Sequence, residues 1–380
     1  MDFTKVTNFL ETLQSAGIPG TDLAIYIKGK EVYRHQTGYA DLDSHTPITP
    51  DNLYLFYSMT KIITCVSALR LYEEGLFSLI DPLYEYLPDY KDMSVSTILE
   101  NGKVEIAPAK NQIRIVDLFT MTSGISYNIT PEFEKLDKKS KGNFTLKEFS
   151  EATSKDPLYF EPGTQWLYSF SHDVLGRVIE VISGKTLGEY FYENIFAPLD
   201  MEDTFFRLPK EKENRMVTCY EYDEKNKTHR KPEKLPLRFD IDCKFESGGG
   251  GLISSVDDFG KFSNVLCAGG TATSKYRILS KPTIELMRTN HLDGVQRREY
   301  NGNWLHHSGY GYGLGVRTMV DKAAGGSNSN IGEFGWSGMA GTYVLMDPAI
   351  DLTYVYAQQL VPSNEEYVAP RLRSVVYGCL

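Results

Sequence analysis

The placement of strand-like runs is the feature that most limits what this chain can fold into. Two runs lie near the N-terminus, at residues 23–27 and 31–36, around Lys28-Gly29-Lys30, and read as a hairpin. Two more lie near the C-terminus, at 341–346 and 352–358. They flank Asp347-Pro348-Ala349-Ile350 and are rich in Val, Tyr, Leu and Thr, so they read as a second hairpin. The chain between them reads mainly as helix. Residues 58–74 carry the stripe Ile62, Val66, Leu69 and stop at Gly75. Further helices are predicted at 114–122 and at 171–183, the latter ending before Gly184. Phe3, Val6, Phe9, Leu10 and Leu13 set a helix that Gly17 and Pro19 end, and a last helix covers about 364–377. Strands at both ends with helices between them predict an α/β fold of the α+β type: one antiparallel sheet built from both termini and flanked by helices, plus a mainly helical domain from the middle. The expected division is 1–85 with 245–380 for the sheet domain and 86–244 for the helical one.

Composition narrows the functions open to such a fold. Apolar residues at 41% and charged residues at 24% are ordinary globular values. The balance of 40 basic against 50 acidic residues, net −10, argues against nucleic acid and anionic membrane as partners. Segment 207–238 departs from this, with ten basic and six acidic residues and three prolines; it reads as an exposed, solvated excursion rather than a nucleic-acid patch. The cysteines, at 65, 219, 243, 267 and 379, are odd in number and form no C-x-x-C, which fits reduced thiols in a cytosolic protein. The segment Met1-Asp2-Phe3-Thr4-Lys5 opens no secretory pattern, and no run of about 18 apolar residues occurs. The expectation is a cytoplasmic protein.

The residues able to do chemistry begin with Ser58-Met59-Thr60-Lys61, the one S-x-x-K in the chain. Serine and lysine at i and i+3 share a helix face. A serine hydroxyl needs a neighbour to take its proton, and a desolvated lysine loses enough basicity to help. A serine in the first helical turn also sits where the helix dipole favours a developing anion. The second segment is Pro162-Gly163-Thr164-Gln165-Trp166-Leu167-Tyr168-Ser169, which puts Tyr168 just ahead of a predicted helix. The third is Phe334-Gly335-Trp336-Ser337-Gly338-Met339-Ala340-Gly341, leading into a strand. Small residues there, read as an edge strand, leave backbone N–H groups open for an oxyanion. The four-glycine run 248–251 lets backbone pass close to another group, and no Gly-Lys-Ser/Thr follows it, so it is not a phosphate loop.

In this order and context the segments resemble the serine β-lactamase and penicillin-binding-protein superfamily, most of all class C β-lactamases and the family VIII carboxylesterases. Supporting runs are 73–82, 118–125, 160–163, 173–176 and 249–255. The resemblance implies that Ser58 is acylated, that Lys61 assists proton removal and that Tyr168 is the general base and acid. By the same alignment the oxyanion donors are the N–H groups of Ser58 and Met339, and no cofactor or metal is implied.

Two departures bear on the substrate. The family's Tyr-x-Asn ends in Phe170 here, and Trp336-Ser337-Gly338 stands in place of Lys-Thr-Gly. Tyr192-Glu193-Asn194 matches the letters of the first motif but sits in an apolar-periodic stretch and reads as a decoy. Losing an amide and a cation while gaining Phe170 and Trp336, with Ser337 and Gly338 beside them, favours small uncharged esters over carboxylate-bearing lactams. The alternatives are a β-lactamase or D,D-peptidase type of amide hydrolase and a non-catalytic binding protein. An α/β-hydrolase elbow and a His-Glu-x-x-His metal site are both missing, and His306-His307 and His291 read as surface or core histidines.

Overall fold

The terminal hairpins join in a single antiparallel sheet whose central strands are buried on both faces. The computed structural model describes residues 1–99, 101–128 and 131–380. Its main strands are β1 (Gly20–Ile27), β2 (Lys30–Asp41), β3 (Thr46–Pro47), β4 (Tyr310–Tyr312), β5 (Arg317–Met319), β6 (Phe334–Ser337), β7 (Tyr343–Asp347) and β8 (Leu352–Ala357). They run in the order β4-β5-β6-β7-β8-β1-β2-β3, every neighbour antiparallel. The register Asp22↔Ala357 to Ile27↔Leu352 joins the two chain ends. Lys28 and Gly29, at φ 51° and 71°, form the two-residue turn whose positive φ values match strand twist.

Helices cover both faces. They are α1 (Thr4–Thr12) and α5 (Glu365–Tyr377) on one side and α4 (Val256–Cys267) on the other, while α2 (Thr60–Glu73) and α3 (Ser171–Ser183) pack against each other. Leu23, Ile25, Leu345 and Tyr354 point to one face and pack with Val6 and Leu10 of α1 and Leu372 and Val376 of α5. Ala24, Val344, Met346 and Val355 point the other way, toward Phe259 and Phe262 of α4 and the apolar residues of α2. This is the period of two expected of strands. α3 spans the predicted 171–183 and stops at Gly184, whose φ of 71° gives the left-handed cap.

Several expectations needed correction. α2 is buried on all sides rather than along one stripe: eleven of its fourteen residues are buried, including Thr60, Lys61 and Thr64. The helix predicted at 114–122 is only Ile115–Phe119, because Met121 takes a left-handed backbone (φ 61°). β6 is no edge strand, since β4 and β5 lie outside it. The basic segment 207–238 is not a free loop. Tyr220–Asp223 and Thr228–Arg230 form a small sheet with Leu360–Val361, and the Tyr220 hydroxyl accepts the Leu42 N–H at 2.8 Å. Nearby carboxylates take up much of its charge: Arg215 pairs with Asp203, and Lys231 with Asp41 and Asp43. All five cysteines are free. Among the described residues no helix is long and apolar enough to cross a membrane.

Candidate active site

Ser58 stands in the 3-10 turn Tyr57–Met59 that leads into α2, and Lys61 follows one turn later. The residue before the serine, Tyr57, is held at φ 43°, a left-handed conformation that costs a residue with a side chain about 1–2 kcal/mol. Packing enforces it, for Tyr57 is buried with its ring 5.9 Å from that of Phe239.

Lys61 is fully buried. Its Nζ donates to Ser58 Oγ at 3.1 Å and to the carbonyl of Gly249. The same ammonium lies 4.7 Å from the ring centre of Tyr168 and 5.7 Å from that of Tyr127. Burial alone would drive off its proton, but the phenolic oxygens of Tyr127 and Tyr168 and the Asp173 carboxylate outweigh burial. Lys61 is pushed well above its ordinary value. The electrostatics thus run against the expectation that desolvation makes this lysine a base: they favour its ammonium form.

Tyr168 lies just ahead of α3, and its oxygen accepts the indole N–H of Trp336 at 3.1 Å. Sequence reasoning took Trp336 as an apolar wall. It is that, being buried, and it is also a hydrogen-bond donor to the tyrosine. The rings of Trp304 and Trp336 lie 5.2 and 5.7 Å from that of Tyr168. Phe170 faces Tyr127 at 4.5 Å and Phe149 at 5.0 Å, so an aromatic cluster fills the space where the superfamily has an amide. Tyr192-Glu193-Asn194 lies elsewhere, in the π-helical turn Tyr192–Phe196, where the Asn194 amide bonds the Tyr190 carbonyl.

The turn after β6 abuts the serine. Gly338 N–H bonds the Thr342 carbonyl at 2.7 Å, and Thr342 Oγ1 donates to the Phe56 carbonyl at 3.2 Å. A Cβ on Gly338 would lie 2.4 Å from that same carbonyl oxygen. Among the described residues the N–H groups of Ser58 and Met339 have no hydrogen-bond acceptor. Ser337 is buried, and the Met339 side chain is half exposed.

Sequence reasoning missed four participants. Tyr127 follows the run 118–125, and its ring centre lies 5.7 Å from the Lys61 ammonium. The Gly249 carbonyl is backbone, so no side-chain pattern announces it. Asp173 holds that carbonyl in place: its Oδ1 accepts Ser247 Oγ at 2.5 Å and Gly249 N–H at 3.1 Å, and a Cβ on Gly249 would fall 2.4 Å from Oδ2. The glycine run thus serves close backbone approach to a buried carboxylate. The fourth, His172, packs behind Lys61, with Nε2 3.1 Å from the Phe119 carbonyl.

His172 gives the site a pH signature. Burial, with the Lys61 charge adding to it, lowers its pKa from 6.5 to about 3. The unfolded chain takes up a proton below 6.5 that the folded protein refuses. The contribution of this group to stability is therefore complete above 6.5 and is lost as pH falls from there toward 3. At pH 5 the loss is about 2 kcal/mol. Urea unfolding of His172→Gln beside the parent should show a lower starting stability and a shallower decline between pH 7 and 5. Parallel declines would remove His172 as the cause.

Comparison with known proteins gives the family and the fold. The profile of the family described as Beta-lactamase matches residues 6–376. Protein Rv1367c of Mycobacterium tuberculosis is 29% identical over 365 residues, covering 93% of this chain and 88% of that protein. Esterase EstB of Burkholderia gladioli is 27% identical over 373 residues, covering 91% and 87%. The unliganded simvastatin synthase LovD from Aspergillus terreus superposes with a TM-score of 0.83 at 21% identity, over 100% of this chain and 99% of that one.

Proposed function

Because the chain belongs to the beta-lactamase family and has its β-lactamase/transpeptidase-like fold, we propose that it is a serine hydrolase that cleaves small uncharged esters through an acyl-enzyme on Ser58. The observation that carries this reading is the Lys61 ammonium, which donates to Ser58 Oγ while facing the ring of Tyr168. Trp336 completes the arrangement with a hydrogen bond to the tyrosine oxygen.

In the proposed sequence Ser58 Oγ attacks the ester carbonyl carbon and its proton passes to the Tyr168 oxygen. The step balances with Tyr168 starting as its phenolate, its own proton already released to solvent, while the Lys61 ammonium faces its ring and the Trp336 N–H donates to its oxygen. The tetrahedral oxyanion takes the free N–H groups of Ser58 and Met339. Collapse breaks the carbonyl–alkoxy bond, and Tyr168 returns the proton to the leaving alkoxide. Water then attacks the acyl-serine, with Tyr168 taking its proton and handing it to Ser58 Oγ.

The preference for esters is supported by Trp336 standing where the superfamily has a lysine, and by the name of the relative EstB. A fluorophosphonate probe followed by peptide mass spectrometry tests the nucleophile. The expected result is one adduct on Ser58 that Ser58→Ala abolishes, and an adduct surviving that substitution would end the assignment. Parallel assays with p-nitrophenyl esters and nitrocefin test the substrate class. Ester turnover well above nitrocefin turnover is expected, and the reverse order would make the protein a lactamase.

A further inference from the structure

Beside Trp336 lies a cluster that the proposed reaction does not use. The 3-10 turn Leu305–His307 presents two adjacent imidazoles, their ring centres 4.3 Å apart. The first residue of α5, Glu365, approaches them from a distant part of the chain. Its Oε1 lies 3.5 Å from His306 Nε2 and 4.0 Å from His307 Nε2. One ligand atom from each of the three residues falls within 4.8 Å of the others.

Two features set this cluster apart from an ordinary histidine–glutamate contact. First, none of these atoms is satisfied: both nitrogens of His306, both of His307 and Oε1 of Glu365 are buried without a hydrogen-bond partner among the described residues. Buried polar atoms in native proteins nearly always have one. Second, the spacing is near that of a metal site. Metal–ligand bonds of about 2.0–2.1 Å in a tetrahedral site place ligand atoms roughly 3.3–3.4 Å apart; the two Glu365 contacts, at 3.5 and 4.0 Å, approach that, and all three atoms lie within 4.8 Å of one another.

We propose that His306, His307 and Glu365 form a binding site for a divalent transition-metal ion of the zinc class, with water as the fourth ligand. Two imidazole nitrogens and one carboxylate oxygen are a borderline-soft donor set that suits Zn2+ and disfavours Mg2+ or Ca2+. The guanidiniums of Arg317 and Arg373 nearby oppose a dication, and the buried Glu333 carboxylate, 3.7 Å from Arg317, offsets them in part. The ion would tie the start of α5 to the turn that carries His307. The His307 ring lies 5.3 Å from Trp304 and 5.6 Å from Trp336, so the site braces the aromatic wall of the pocket without touching the reacting atoms.

The test is calorimetric titration of the chelator-treated full-length chain with Zn2+, beside its Glu365→Gln variant, together with the visible spectrum on adding Co2+. Saturation at one equivalent is expected, with the intense d–d bands of tetrahedral cobalt and a Tm that rises with bound metal. Glu365→Gln, a near-isosteric change at a partly exposed side chain, should weaken Zn2+ at least tenfold and abolish the Co2+ bands. Absence of saturable Zn2+ binding would overturn the site, and so would binding or Co2+ bands unchanged in Glu365→Gln.

Discussion

Replacing Lys61 with methionine is expected to lower kcat/KM for a p-nitrophenyl ester by about a thousandfold or more, with the fold retained. Methionine has nearly the reach of lysine and no charge, so the substitution removes the cation and little else. The ammonium donates to Ser58 Oγ and faces Tyr168, and both roles end together. The loss is expected in kcat, because the Ser58 hydroxyl loses the ammonium that holds it and that faces the ring of Tyr168. Stability moves less. The Gly249 carbonyl loses its donor, at a cost of about 1–3 kcal/mol, and the penalty for burying a charge disappears with the charge. Steady-state kinetics beside urea unfolding separates the two effects. A well-folded Lys61→Met enzyme keeping more than about a tenth of the parent kcat would refute the role given to this residue.

What sequence could convey about this chain follows from which interactions are local. α3 was legible to the residue because an apolar period of 3.6 runs into Gly184, and both signals lie within one segment. The Ser58–Lys61 pair was legible because a helix places i and i+3 side by side whatever surrounds it. The environment of that pair was not. α2 carries Thr60, Thr64 and Ser67 on faces that look solvated, yet Thr64 Oγ1 bonds the Gly248 carbonyl and Thr60 Oγ1 accepts the Leu252 N–H. Polar residues satisfied by distant backbone leave no periodic trace. The sign of the Lys61 shift was hidden for the same reason. It depends on Tyr127 and Asp173, which the fold alone brings close. Trp336 was read by its shape and missed as a donor, because its partner Tyr168 lies far off in the chain.

The turn that follows Trp336 supplies the second large effect, Gly338→Ala. This glycine does not take a positive φ, so backbone freedom is not what it provides. Space is: a methyl group would meet Thr342 Oγ1 at 2.2 Å and the Phe56 carbonyl oxygen at 2.4 Å, both far inside van der Waals contact. The Phe56 carbonyl is backbone, fixed two residues before Ser58 and already accepting Thr342 Oγ1, so the turn 338–342 has to retreat from it. That retreat pulls the Met339 N–H away from the Ser58 N–H, and an oxyanion held by two donors would be held by one. Loss of one such donor costs about a hundred- to a thousandfold in kcat. KM should change far less, because the donors meet charge that exists only in the transition state. Overpacking adds about 1–3 kcal/mol of destabilisation, visible as a lower urea midpoint. Met339→Ala is the control, since it keeps the N–H and removes only a half-exposed side chain, and its kcat should stay near that of the parent. If Gly338→Ala retained parental kcat, or if Met339→Ala fell as far, the oxyanion would have to be bound by groups other than these two N–H donors.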